Sequence, residues 1–130
     1  AAGVGIVITD SASARLIDRL VPGGAFDPVT RVGWKAAPSR GTWKYVNRSP
    51  DAPAGIASVT IRDLSRKAPG LVQFSVRGWR GAYAADPAKL PLTGLFVLDP
   101  PTAETGQCGQ AAFPGGTASC TAGPRAIVCR

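Results

Sequence analysis

Glycine and proline cut this chain into short runs, and that punctuation constrains its fold more than any other feature. Sixteen Gly and twelve Pro are spread over 130 residues. Between the breaks lie segments rich in Val, Ile, Thr and aromatic side chains. Such segments have the length of β-strands and are mostly too short for helices, whose nucleation cost needs a longer run to offset it.

Walking the chain turns this pattern into elements. Gly3-Val4-Gly5-Ile6-Val7-Ile8-Thr9 is apolar and β-branched and ends at the turn former Asp10, which reads as a strand. Asp10 or Ser11 can then cap a short helix, because Ala14, Leu16, Ile17 and Leu20 fall at helical spacing before Pro22-Gly23-Gly24 stops it. Val21 to Pro28 reads as loop. Arg31 to Lys35 and Thr42 to Arg48 read as a hairpin around Pro38-Ser39-Arg40-Gly41. Ala57, Val59 and Ile61 alternate with Ser58, Thr60 and Arg62. The same period returns where Val72, Phe74 and Val76 alternate with Gln73, Ser75 and Arg77, so these two strands form the clearest pair, each with one wet face. Thr93 to Leu98 is continuously apolar and bounded by prolines, which suits a central strand covered on both faces. Gly109 to Phe113 and Ala126 to Arg130 complete the series.

Strands recurring about every ten residues with Gly/Pro breaks predict an all-β protein: a single β-sandwich, Ig-like or jelly-roll-like, with about seven to nine strands and one short amino-terminal helix. Residues 1–30 are read as a strand and tether segment, and residues 31–130 as the sandwich body, one domain overall.

The chain opens Ala1-Ala2-Gly3 and contains no Met, as in a mature chain after a signal peptide is removed, so a secreted, extracellular protein is expected. No apolar run is long enough to span a bilayer. Cys108, Cys120 and Cys129 include no CxxC pair, and no His is present to complete a common zinc site, so a disulfide is expected and no metal or other cofactor. Cys108–Cys120 and Cys120–Cys129 each close a hairpin-sized loop, with the first preferred. The third thiol is then buried or bonded to another chain.

Fifteen Lys and Arg against eight Asp and Glu give a net charge of +7. Charge of this size favours anionic surroundings such as an acidic polysaccharide, although the arginines are dispersed along the sequence and solubility alone accounts for them. No basic helix, ribonucleoprotein-type aromatic motif or zinc module is present, so nucleic acid is not an expected partner.

The sequence also argues against catalysis. Without His the usual general base of acyl-transfer chemistry is missing. Four scattered lysines and no nucleophile elbow speak against a Ser-Lys dyad, and the acids sit mostly at turns, where turn formation explains them. Gly3-Val4-Gly5 lacks the third Gly of a dinucleotide fingerprint. Leu90-Pro91-Leu92-Thr93-Gly94 matches a sortase signal in letters, but it precedes a buried-looking strand instead of a terminal apolar span. Asn47-Arg48-Ser49 is a glycosylation triplet disfavoured by Pro50.

Val32-Gly33-Trp34-Lys35, Gly41-Thr42-Trp43-Lys44-Tyr45, Gly55-Ile56 with Val59-Thr60-Ile61-Arg62-Asp63, Pro69-Gly70-Leu71-Val72, Val76-Arg77-Gly78 and Gly106-Gln107-Cys108-Gly109 together resemble the carboxy-terminal β-rich, three-cysteine module of large exported bacterial proteins. The resemblance spans residues 31–130. It implies a β-rich fold and export, and it implies no particular activity.

Two expectations of function follow. The first is a non-catalytic structural subunit that forms a homo-oligomer or polymer such as a fibre or surface layer, with Gly3, Val4, Ile6, Val7 and Ile8 donated as a strand to the next subunit. The alternative is a carbohydrate-binding or adhesion module. Trp34, Trp43 and Tyr45 read as hairpin packing. Trp79 lies in the basic, Gly-flanked stretch Arg77-Gly78-Trp79-Arg80-Gly81, so Trp79 and Tyr83 beside Arg77 and Arg80 are the expected ligand contacts.

Overall fold

A computed structural model describes residues 3–79, 81–100, 108–114, 118–123 and 126–130. The protein is all-β: among the described residues there are ten strands in three antiparallel sheets consistent with a β-sandwich, and no barrel closes. The remaining regular structure of the described residues is three single-turn 3-10 segments, Pro38–Arg40, Pro53–Gly55 and Pro87–Lys89, each opened by a proline whose fixed φ suits a first helical position. Two compact units are distinguishable: Ala1–Val21 with Tyr83–Arg130, and the contiguous stretch Pro22–Ala82.

The first unit holds β1 (Gly3–Thr9), β2 (Arg15–Pro22), β7 (Thr93–Leu98) and β8 (Cys108–Ala112) in the order β2-β1-β7-β8. The apolar run Thr93–Leu98 is central, as its composition requires, and pairs with β1 from Val4↔Leu98 to Thr9↔Thr93. β1 is also interior: it is hydrogen-bonded on both edges, and Val4 and Ile6 are buried. A separate hairpin joins β9 (Cys120–Ala122) to β10 (Ile127–Cys129).

Two expectations fail in this unit. The segment with helical spacing, Ala14 to Leu20, is not a helix; Arg15–Pro22 is an edge strand. The cause lies at Asp10, whose buried carboxylate accepts the backbone N–H groups of both Ala12 and Ala14 at 2.9 Å. That closes a tight turn with Ser13 at φ 63°, sending the chain back along β1. Pairing there satisfies the backbone of a segment too short to nucleate a helix cheaply. The preferred Cys108–Cys120 bridge is likewise absent. Cys120 and Cys129 face each other in the β9–β10 register, 4.0 Å apart at Cα, and form the disulfide. Cys108 opens β8 opposite Val97 and is free and exposed, not buried.

The second unit is a four-stranded meander of β3 (Val32–Ala37), β4 (Thr42–Asn47), β5 (Ile56–Asp63) and β6 (Val72–Gly78), in sequence order. Its alternation follows the residue pattern. Tyr45 pairs with Val59 and Val59 with Val76, and Ile61 pairs with Phe74, so one face collects the apolar side chains. Tyr45, Ile56 and Val59 are fully buried, and the Tyr45 ring packs tilted against Trp34 with centroids 5.5 Å apart. The Tyr45 hydroxyl accepts from Asn47 Nδ2 at 3.1 Å, which leaves that buried amide partnered. Gly33 has φ 124°, and a Cβ there would lie 2.4 Å from the Ala25 carbonyl oxygen. The residue is therefore what lets the segment around Ala25 bond alongside β3 through Phe26 N–H to Trp34 O and Trp34 N–H to Gly24 O.

Candidate functional site

The opposite face of the second unit is polar. The register places Lys35 directly across from Lys44, with Thr60 and Ser75 continuing the row, Arg62 in the row to one side and Arg77 in the row to the other. All four cations are exposed. Like charges paired across strands repel, and no acid on this face offsets them. Asp63 alternates to the other side of β5, while Asp27 and Asp51 lie in loops.

The acids of this unit serve its turns. Asp27 accepts from Val29 N–H at 2.8 Å and from the Thr30 hydroxyl at 2.8 Å, and these bonds hold its carboxyl below the usual aspartate range. Asp63 is lowered in the same way, chiefly by hydrogen bonding to Ser65. Among the described residues the one ion pair is Arg15 with Asp18, in the other unit. Lys35 is steered by an aromatic ring instead, its ammonium lying 3.9 Å from the Phe26 centroid.

The charge of the chain is partitioned accordingly. Pro22–Ala82 contains ten Lys or Arg and three Asp, whereas the rest of the chain contains five basic and five acidic residues. The net charge of +7 therefore belongs to the second unit alone. Within that stretch, strand register brings Lys35, Lys44, Arg62 and Arg77 to one face.

At one end of this face lies a groove of about 490 Å³. Its floor is Gly55 and the start of β5, where Ala57 and Ser58, like Gly55, carry little or no side chain. Lys44 and Arg48 form one flank, and Arg77 and Trp79 the other. Trp79 is held there by its backbone: its N–H donates to Gly55 O at 2.7 Å, extending the β5–β6 ladder one step beyond β6. The residue is 67% exposed. The Gly55 loop is fixed in turn by Asn47, whose Oδ1 accepts from Ser49 N–H at 2.8 Å, and by Gly55 N–H donating to Ala52 O at 2.8 Å.

Of the expected ligand contacts, Arg77 and Trp79 meet in this groove. Tyr83 does not join them. It lies in the other unit, where its buried hydroxyl finds no partner among the described residues and burial raises its pKa. Arg80 lies outside the described residues. Lys44 and Arg48 were not anticipated, because they reach Arg77 only through strand register. The assembly residues Gly3, Val4, Ile6, Val7 and Ile8 all lie in β1, within its own sheet.

Among the described residues no group of three or more His, Cys, Asp or Glu side chains could hold a metal ion, and no helix is long and apolar enough to cross a membrane. Comparison with known proteins finds no matching family model, curated protein or solved structure.

Proposed function

We propose that this chain is a non-catalytic extracellular binding module whose β3–β6 sheet holds an acidic polysaccharide. One observation carries the reading: the whole net charge lies in Pro22–Ala82, and Lys35, Lys44, Arg62 and Arg77 share a sheet face without a carboxylate. A flat array of uncompensated cations attracts a polymer bearing repeated negative charge, and several weak contacts then add along one strand of ligand. The disulfide is compatible with an extracellular setting. Single-stranded nucleic acid would need several rings on which bases stack, whereas Trp34, Trp43 and Tyr45 all alternate to the face opposite the cations.

The test is a binding titration of the full chain with polygalacturonate, a sulfated glycan, a neutral glucan and single-stranded DNA. Both anionic polysaccharides are expected to bind with affinity that falls as salt rises, and Lys44→Glu with Arg62→Glu should weaken each at least tenfold. Failure of both to bind at low salt, or tighter binding of the DNA, contradicts the proposal.

A second reading, self-assembly, rests on β8. All five of its residues are exposed and it is the outermost strand of its sheet, which is the exposed edge a second chain can extend. Assembly through β1 would first require withdrawing a strand bonded on both sides. Sedimentation of the wild-type chain at high concentration tests this: a species larger than the monomer supports it, and a monomer throughout removes it.

A further inference from the structure

The groove beside Trp79 differs from the cationic face around it. The face offers point charges, while the groove combines an exposed indole, two guanidinium groups and a floor of small residues. We infer that the groove is a subsite for one pyranose ring carrying a ring carboxylate, so that the polysaccharide bound here is built from uronic acid units. The inference rests on the reading of the sheet as a polyanion-binding surface, and it adds the chemistry of the repeating unit.

Three features of the groove fit that ring. First, Arg77 and Trp79 are two residues apart and both line the groove, Trp79 continuing the ladder of β6. Two residues of extended chain separate them by about 7 Å, the scale of a sugar ring with its substituent. A pyranose stacked with its C–H face on the indole therefore projects an in-plane carboxylate toward a guanidinium. Second, Arg48 and Arg77 occupy opposite flanks. The planar fork of Arg matches a carboxylate through two parallel N–H···O bonds, a geometry that an ammonium does not provide. Third, Gly55 in the floor cannot be larger: its φ is 67°, and a Cβ would fall 2.6 Å from Gly81 N and 2.8 Å from Trp79 O. The glycine thus lets the backbone of Trp79 and Gly81 pack directly against the floor, which fixes Trp79 at its side.

A sulfate ester fits this arrangement less well. It is tetrahedral and hangs from an exocyclic oxygen, so it does not share a plane with a ring stacked on Trp79. Sulfated polymers would be held by the outlying cations Lys35 and Arg62.

The experiment compares the full wild-type chain with Trp79→Ala, Arg77→Lys and Lys35→Glu, titrated with a galacturonate tetramer and with a sulfated tetrasaccharide of equal charge. The expected result is that Trp79→Ala and Arg77→Lys weaken galacturonate binding about tenfold or more and change sulfated binding less than twofold. Lys35→Glu should weaken both similarly. Loss of both ligands in equal measure on Trp79→Ala, or galacturonate binding indifferent to Trp79, overturns the subsite while leaving the cationic face standing. Absence of binding by either tetramer and by their polymers overturns both. Circular dichroism of each variant distinguishes a lost contact from a lost fold, and Trp79→Phe, which keeps a ring, should recover most of the galacturonate affinity.

Discussion

The backbone N–H of Trp79 donates to the carbonyl of Gly55 at 2.7 Å, and a side chain at Gly55 would collide with the Trp79 carbonyl and the Gly81 backbone. The exposed ring is therefore set by a turn some two dozen residues earlier in the chain. Gly55→Ala forces a residue with a Cβ to hold φ 67° against backbone at 2.6 Å. The cost is expected to be at least about 1–3 kcal/mol, read as a lower urea midpoint, together with altered fluorescence from Trp79. An unchanged midpoint would mean that the loop yields freely.

Ile6 is fully buried in an interior strand. Truncation to Ala in a packed site costs about 2–5 kcal/mol, so Ile6→Ala should unfold at markedly lower urea even in dilute solution. If β1 instead served only a neighbouring subunit, the monomer's midpoint would stay where it is.

Cys108 is exposed and free, whereas Cys120 and Cys129 are joined. One thiol per chain should react with a maleimide under native conditions, and three after reduction and unfolding. Replacing both Cys120 and Cys129 by Ser should cost about 2–3 kcal/mol, as expected for releasing a short cross-linked loop in the unfolded chain.

Asp27 has its carboxyl held below the ordinary value of 3.8, first by the Val29 N–H and then by the Thr30 hydroxyl. A depressed folded-state pKa means that the unfolded chain binds the proton more readily, so the stabilising contribution is present above the unfolded value and fades as pH falls through the folded one. Urea midpoints of wild type should therefore decline below about pH 4. Asp27→Asn should reduce the slope of that decline, and an identical pH profile would remove Asp27 from the explanation.

Much of this architecture was legible in the residues. Val59 and Ile61 against Thr60 and Arg62, and Phe74 and Val76 against Ser75 and Arg77, encode a two-faced pair because side chains alternate along any strand, and the register bears this out. The uninterrupted apolar run of Thr93–Leu98 marks a central strand for an equally local reason. Arg15–Pro22 misleads because Leu16, Ile17 and Leu20 fit a helical stripe, while the deciding interaction is the turn at Asp10, whose carboxylate bonds two backbone groups rather than capping a helix. The disulfide depends on which strands form a hairpin, and cysteine spacing does not contain that information. The cationic face was hidden for the same kind of reason: Lys35 and Lys44 become neighbours only when β3 and β4 pair, and Arg77 joins Lys44 across two further strand pairings. The exposure of Trp79 is legible because glycines and arginines on either side of an aromatic residue leave it little to pack against.

On the proposed function, the sheet of β3 to β6 is the surface that meets an acidic polysaccharide. Amide chemical-shift mapping of the full chain during titration with a galacturonate oligomer tests it residue by residue. Shifts should concentrate at Lys35, Lys44, Ser58, Arg62, Arg77 and Trp79 and leave the β9–β10 hairpin unmoved. Shifts centred on that hairpin or on β1 and β7, with β3 to β6 silent, would contradict it.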